Sequence, residues 1–201
     1  MPNPSSMHYY FNWSKERIDE MDATLASFER QYDLLQADIR SQAETALTKM
    51  RETRDAFRET MSKQAKAGGS DWTHAKIDLE AEWKDFETQA NRYVDGLSRQ
   101  AEQYRATFRA CAEAQMQAWR DSAERLRDAA KAYATDQRST FDAMANQMKA
   151  DANAAQAKLA SLSAKAAEPW SALTAALAET RAAFDRANQT AHEAFERATK
   201  H

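Results

Sequence analysis

The chain has 201 residues, a net charge of −3 and 29% charged residues, but only three glycines, three prolines and one cysteine. That charge balance lacks the concentrated positive field nucleic-acid binding needs, and a lone Cys111 excludes an internal disulfide framework. Val94, Ile18, Ile39 and Ile77 are the whole valine and isoleucine content, so a sheet has little to build with, whereas abundant Ala, Gln, Glu, Lys and Arg is the profile of long helices.

Residues 1–13 read as a separate segment. Pro2 and Pro4 discourage helix, and Tyr9, Tyr10, Phe11 and Trp13 crowd behind His8. These aromatics are expected to dock on the helical body as a cap; an exposed recognition patch is the alternative. Ser14 offers an N-cap for a first helix over 14–66, with Glu16 and Asp19 complementing its dipole. Its stripe begins Ile18, Met21, Leu25, Phe28, Tyr32, Leu35 and Ile39 in heptad fashion. It continues through Ala43, Leu47, Met50, Arg54, Phe57 and Met61 with an inserted step of four. Such a helix would span about 80 Å. Arg51, Arg54 and Arg58 alternate with Glu44, Glu52, Asp55 and Glu59, the pattern of a solvated, ion-paired face.

Residues 67–71 form a turn, with Gly68 and Gly69 as C-cap residues and Ser70 and Asp71 as the next N-cap. So short a connection places a second helix, 72–134, antiparallel to the first. It brings Trp83, Phe86, Tyr93, Tyr104 and Phe108 against the first stripe, with Gly96 inside it at a penalty of about 1 kcal/mol relative to Ala. From Leu79 to Ala198 apolar rungs recur at a mean step of about 3.6, the repeat of an α-helix. Residues 135–200 are Ala-rich. The ladder keeps its phase through Thr135–Thr140 and through Ala166–Pro169, which favours a continuous helix at the first site and a break near 169 at the second. The fold expected is therefore all-α: an elongated antiparallel long-helix hairpin, extended to a three- or four-helix bundle or coiled coil. Beyond residue 125 the stripe has no partner in the hairpin. The same chain, a second copy or an apolar surface must cover it. Trp83, Phe86, Tyr93, Tyr104, Phe108, Trp119, Phe141, Trp170, Phe184 and Phe195 are the expected packing or oligomer stripe.

Chemistry is sparse. No Glu-x-x-His pair occurs, and His8, His74, His192 and His201 are not spaced for a metal site on one helical face. Asp71 and His74 read as a cap pair. Glycine-rich phosphate loops, nucleophile elbows and Cys-x-x-Cys are absent. No catalytic residue, cofactor or metal is expected. Cys111 reads as a buried packing residue, and Trp72, Trp83, Trp119 and Trp170 as packing groups. No apolar run approaches the roughly 20 residues that span a bilayer, and the N-terminus does not read as a secretory signal, so the expected compartment is the cytoplasm.

Lys158-Leu159-Ala160-Ser161-Leu162, then Pro169-Trp170-Ser171-Ala172-Leu173, then Arg181-Ala182-Ala183-Phe184-Asp185-Arg186-Ala187 resemble uncharacterised bacterial Ala-rich coiled-coil proteins, some labelled stress-associated. Pro169 departs from the small or acidic residue usual there. The resemblance implies a soluble bacterial helical protein and carries over no catalytic residues. A weaker similarity is to phasins, the helical proteins that coat polyester storage granules. The expected function is that of a non-enzymatic structural, scaffold or interaction protein forming an elongated helical homo-oligomer. The alternative is an amphipathic binder of lipid or a storage-granule surface.

Overall fold

The computed structural model describes residues 4–67, 72–96, 101–165 and 168–199. They form six helices: α1 (Pro4–Tyr32), α2 (Ala37–Lys66), α3 (Trp72–Gly96), α4 (Ala101–Ala130), α5 (Thr135–Ala164) and α6 (Trp170–Thr199). Among the described residues there is no strand. A 30-residue helix is about 45 Å long, roughly half the length expected of the first helix.

The helix expected over 14–66 is two helices. The break at residues 33–36 contains neither glycine nor proline. It is held by a side chain from the next helix: the Arg40 guanidinium donates to the Leu35 carbonyl at 3.0 Å and the Asp33 carbonyl at 3.0 Å. Both carbonyls belong to the turn itself, between the end of α1 and the start of α2. Leu35 turns into the core, and its burial fixes the entry of α2. The same device recurs where a continuous helix was expected. Between α4 and α5, Arg138 donates to the Lys131 carbonyl at 3.0 Å and to the Tyr133 carbonyl at 3.4 Å. The helix expected over 72–134 is likewise divided: α3 ends at Gly96, which therefore closes a helix instead of sitting inside one. The break near 169 is present. Pro169 occupies the N-cap position, its carbonyl accepting from the Ala172 and Leu173 amides at 3.0 and 3.2 Å.

The N-terminal segment is helical from Pro4, since proline is compatible with a first helical turn. Ser14 is consequently an interior residue, its hydroxyl bonded back to the Tyr10 carbonyl at 2.7 Å. Three of the segment's four aromatics dock: Trp13 is buried, Tyr10 stacks on Trp72 at 5.4 Å and Tyr9 on His192 at 5.4 Å, while Phe11 stays exposed. The expected caps at residues 68–71 lie outside the described residues.

Six helices organise as two up-down-up units, α1–α3 and α4–α6, each with its own apolar core. Met21, Phe28, Met50, Phe57, Leu79 and Phe86 belong to the first. Phe108, Trp119, Phe141, Leu177, Phe184 and Phe195 belong to the second. Half-buried Tyr104 and Trp170 touch both. The units match at an offset of 98 positions: Arg40 with Arg138, Met50 with Met148, Trp72 with Trp170, Leu79 with Leu177, Phe86 with Phe184. Ala-rich α5 packs through Phe141, Ala145, Met148, Ala152 and Leu159, its alanines allowing close approach to α4. The stripe after residue 125 is thus covered by the same chain. The exposed surface of 10494 Å² compares with about 9,600 Å² for a compact monomer of 22.8 kDa. That excess is small beside what an extended hairpin of about 80 Å would expose.

Candidate functional site: a polar seam and the cleft above it

Apart from Tyr104 and Trp170, the two units meet mainly through polar side chains. α1 is two-faced: Ile18, Met21, Leu25 and Phe28 enter the first core, while Glu16, Arg17, Glu20, Thr24, Ser27 and Gln31, also buried, face the other unit. Spacings of three and four place each set on one side of the helix. α4 answers with Thr107, Cys111 and Gln115, all buried. Antiparallel pairing follows from the contacts: Ser27 with Thr107 at 2.9 Å, Thr24 with Cys111 at 3.1 Å, and the Gln31 amide donating to the Gln103 carbonyl at 3.0 Å. Small side chains here let the backbones approach closely, and each hydroxyl finds a partner, as burial requires.

Towards α6 the seam becomes ionic. Arg17 forks onto Asp185 at 2.8 and 2.7 Å and also reaches Glu16 at 3.0 Å. Arg181 forks onto Glu20, with both bonds at 3.1 Å, and extends to Glu87 of α3 at 3.1 Å. The Gln115 amide donates to Glu20 at 3.0 Å and to the Leu177 carbonyl at 3.1 Å. Each guanidinium lies on an indole, Arg17 on Trp13 at 4.4 Å and Arg181 on Trp83 at 4.5 Å, an added attraction where water is excluded. At the far end the Asn12 amide donates to Asn188 at 3.2 Å.

Burial pushes the Glu16 carboxyl up to about 8; Arg17 opposes the shift and Glu20 adds to it. Its Oε1 is buried without a hydrogen-bond partner, consistent with a neutral carboxyl. Burial would lower Arg181, but Glu20 and Glu16 raise it above the usual guanidinium value. The Cys111 thiol is pushed up to about 12, chiefly by burial and then by Glu20. It is a packing and hydrogen-bonding group, with no thiolate near neutral pH.

Above the ionic end of the seam, α3 and α6 stand apart and leave a cleft of about 310 Å³. Trp83, Phe86, Glu87 and Asn91 of α3 form one wall, Trp170 and Thr174 of α6 the other, and Glu20 lies at the floor. Two bridges span it: Arg181 to Glu87, and the Trp170 indole donating to Asn91 at 2.9 Å.

The stripe residues divide between these environments. Phe86 and Tyr93 lie in the first core, and Phe108, Trp119, Phe141, Phe184 and Phe195 in the second. Trp83, Phe86 and Trp170 also line the cleft, and Tyr104 packs edge-on against Trp170 at 6.1 Å. The Arg51, Arg54 and Arg58 face is ion-paired across helices, to Glu29 and Asp22 of α1. Sequence reasoning did not bring out Glu20, Glu87, Arg181 and Asp185. Glu16, Arg17 and Glu20 at helical spacing, opposite the Ile18, Met21, Leu25 stripe, was the available signal of a second buried face. Among the described residues no three His, Cys, Asp or Glu side chains converge to hold a metal ion, and no helix is long and apolar enough to cross a membrane. Comparison with protein families, curated proteins and solved structures gives no match to this chain.

Proposed function

We propose that the chain is a non-enzymatic interaction protein in which two three-helix units form the frame and the cleft between α3 and α6 receives the partner. The observation that carries this reading is the cleft itself. α3 and α6 hold equivalent places in the two units, yet they are bridged by long side chains across an opening lined with indole and carboxylate groups. A concave site with aromatic walls and a few fixed polar groups is the usual form of a binding site. Catalysis has little support: Glu20 is neutralised by Arg181, and Cys111 is buried and protonated.

The elongated homo-oligomer loses its driving force, because the stripe that needed a second copy is buried within the chain. The phasin-like reading requires apolar faces to reach a granule or lipid, and both units turn those faces inward.

A photo-crosslinking amino acid at Ser171, on the cleft rim, tests the proposal in cells that express the protein. Exposed Glu59 on α2 is the control position. Discrete adducts from position 171, lost with Trp170→Ala and absent from position 59, are expected. Equal labelling at both positions, or no adduct from a folded protein at 171, refutes the reading. An adduct of the chain with itself restores the homo-oligomer.

A further inference from the structure

The cleft presents acceptors. Most of its donors are already committed within the protein: each nitrogen of Arg181 to Glu20 or Glu87, the Trp170 indole to Asn91, the Thr174 hydroxyl to the Trp170 and Ser171 carbonyls, and the Thr24 hydroxyl to the Glu20 carbonyl. Acceptor capacity remains. Glu20 already accepts three bonds from Arg181 and Gln115, whereas Glu87 meets Arg181 through Oε1 alone, and its side chain is 42% exposed. Asn91 lies one helical turn further along α3, so its amide oxygen and the Glu87 carboxylate share a face. Both belong to the cleft lining, with Trp170 and Phe86 flanking them.

Charge points the same way. Glu16, Glu20, Glu87 and Asp185 face two guanidinium groups, Arg17 and Arg181. With Glu16 neutral, one negative charge is left over, and Glu87 is the member of the network most open to solvent. Arg181 already covers Trp83 and Phe86 is buried in the first core, so the aromatic surface left for a ligand belongs to Trp170.

Resting on the interaction reading above, we infer that the cleft binds an alkylammonium group: the charged head sits between Glu87 and Asn91, and the aliphatic stem lies against Trp170. A free amine and a partner's lysine side chain share this chemistry. The volume of about 310 Å³ suits a group of that size.

The test follows the indole N–H signals of the intact protein by two-dimensional NMR, assigned with Trp170→Phe, while n-butylammonium chloride is added at constant ionic strength. The Trp170 signal should shift saturably with a dissociation constant of about 1–10 mM, in keeping with so small a ligand. Trp72 and Trp119 should not move. Glu87→Gln should weaken binding about tenfold, as expected for loss of a charged hydrogen-bond partner; the Arg181 fork onto Glu20 keeps that variant folded, and its helical circular dichroism checks this. N-acetyl-lysine methylamide binding as tightly as n-butylammonium assigns the ligand to a partner's lysine, whereas binding of n-butylammonium alone assigns it to a free amine. Equal binding of 1-butanol, no saturable shift, or an unchanged affinity in Glu87→Gln overturns the inference. Adducts at position 171 without ammonium binding would remove the ligand class alone. Ammonium binding without adducts would instead remove the interaction reading.

Discussion

Replacing Glu16 with Gln should alter how stability depends on pH more than it alters stability itself. In the fold this carboxyl is fully buried, facing Arg17 and Glu20 on its own helix and Arg181 and Asp185 on α6. Its pKa rises from 4.5 to about 8, because burial outweighs the pull of Arg17. A raised acid pKa means the native state holds a proton that the unfolded chain releases. The native advantage is complete below pH 4.5 and is lost as pH rises through 8. A shift of that size corresponds to at most about 5 kcal/mol, at 1.36 kcal/mol per pH unit. A loss of a few kcal/mol is expected once Arg17 takes up the ionised form. Gln keeps the shape and carries no charge at any pH. Urea unfolding of both proteins between pH 4.5 and 9, at constant m-value, isolates the effect, since all other titrating groups are common to the pair. The two should be nearly equal near pH 5, and Glu16→Gln should be the more stable by pH 9. Parallel curves across the range would refute the claim that Glu16 is neutral in the seam.

Three further outcomes follow from the same geometry. Glu20→Ala strips the partner from Arg181 and from the Gln115 amide inside the seam, and should destabilise by about 3–5 kcal/mol in urea titration; a loss below 1 kcal/mol would mean the network is solvated. Arg40→Ala and Arg138→Ala each free two turn carbonyls and should lower stability by about 1–2 kcal/mol; no change in either would show that those turns are set by packing alone. Cys111 should resist thiol-specific alkylation at pH 8 in the native protein and react promptly in denaturant; prompt native labelling would contradict its burial.

The helical nature of the chain was legible because 3.6 periodicity is a local property, visible wherever a stripe is buried. Two of the chain reversals were not, because they use ordinary residues. Glycine and proline are what sequence reading looks for, and Asp33-Leu34-Leu35-Gln36 and Lys131-Ala132-Tyr133-Ala134 have neither. What holds them is an arginine a few residues downstream, and the repeated Asp-x-Arg-Ser of 38–41 and 136–139 was the one written trace. A ladder also keeps its phase across a tight reversal if both flanking helices face one core, so phase could not separate a long helix from a folded one. The stripe was legible as packing surface for the same reason: Phe86, Tyr93, Phe108 and Phe184 are all buried. The seam escaped because buried polar residues look like a solvated face until their partners, more than a hundred residues away in Arg17 and Asp185, are known.

The charges of the seam break the symmetry of the two units, and this explains why the halves recognise each other. Since α1 and α4 pair antiparallel, exchanging the units is an approximate two-fold rotation, and positions 98 apart trade places. Trp83 stands opposite its own counterpart, Arg181, 4.5 Å away. Two tryptophans would leave Glu20 without a cation at that point, and two arginines would repel. Glu16, Arg17 and Glu20 correspond to Ala114, Gln115 and Ala118, so α1 carries its carboxylates against a neutral surface on α4, and their cations are Arg17 on α1 itself and Arg181 on α6. A unit α1–α3 paired with a copy of itself would bring its buried glutamates together instead, an arrangement disfavoured by several kcal/mol. Unlike halves are therefore specified by charge, while each half keeps an apolar core of its own. The same asymmetry makes Arg181 the bridge to Glu87, leaving that carboxylate half exposed at the mouth of the cleft. The cleft is thus placed by the residues that decide which surfaces of the two units may meet.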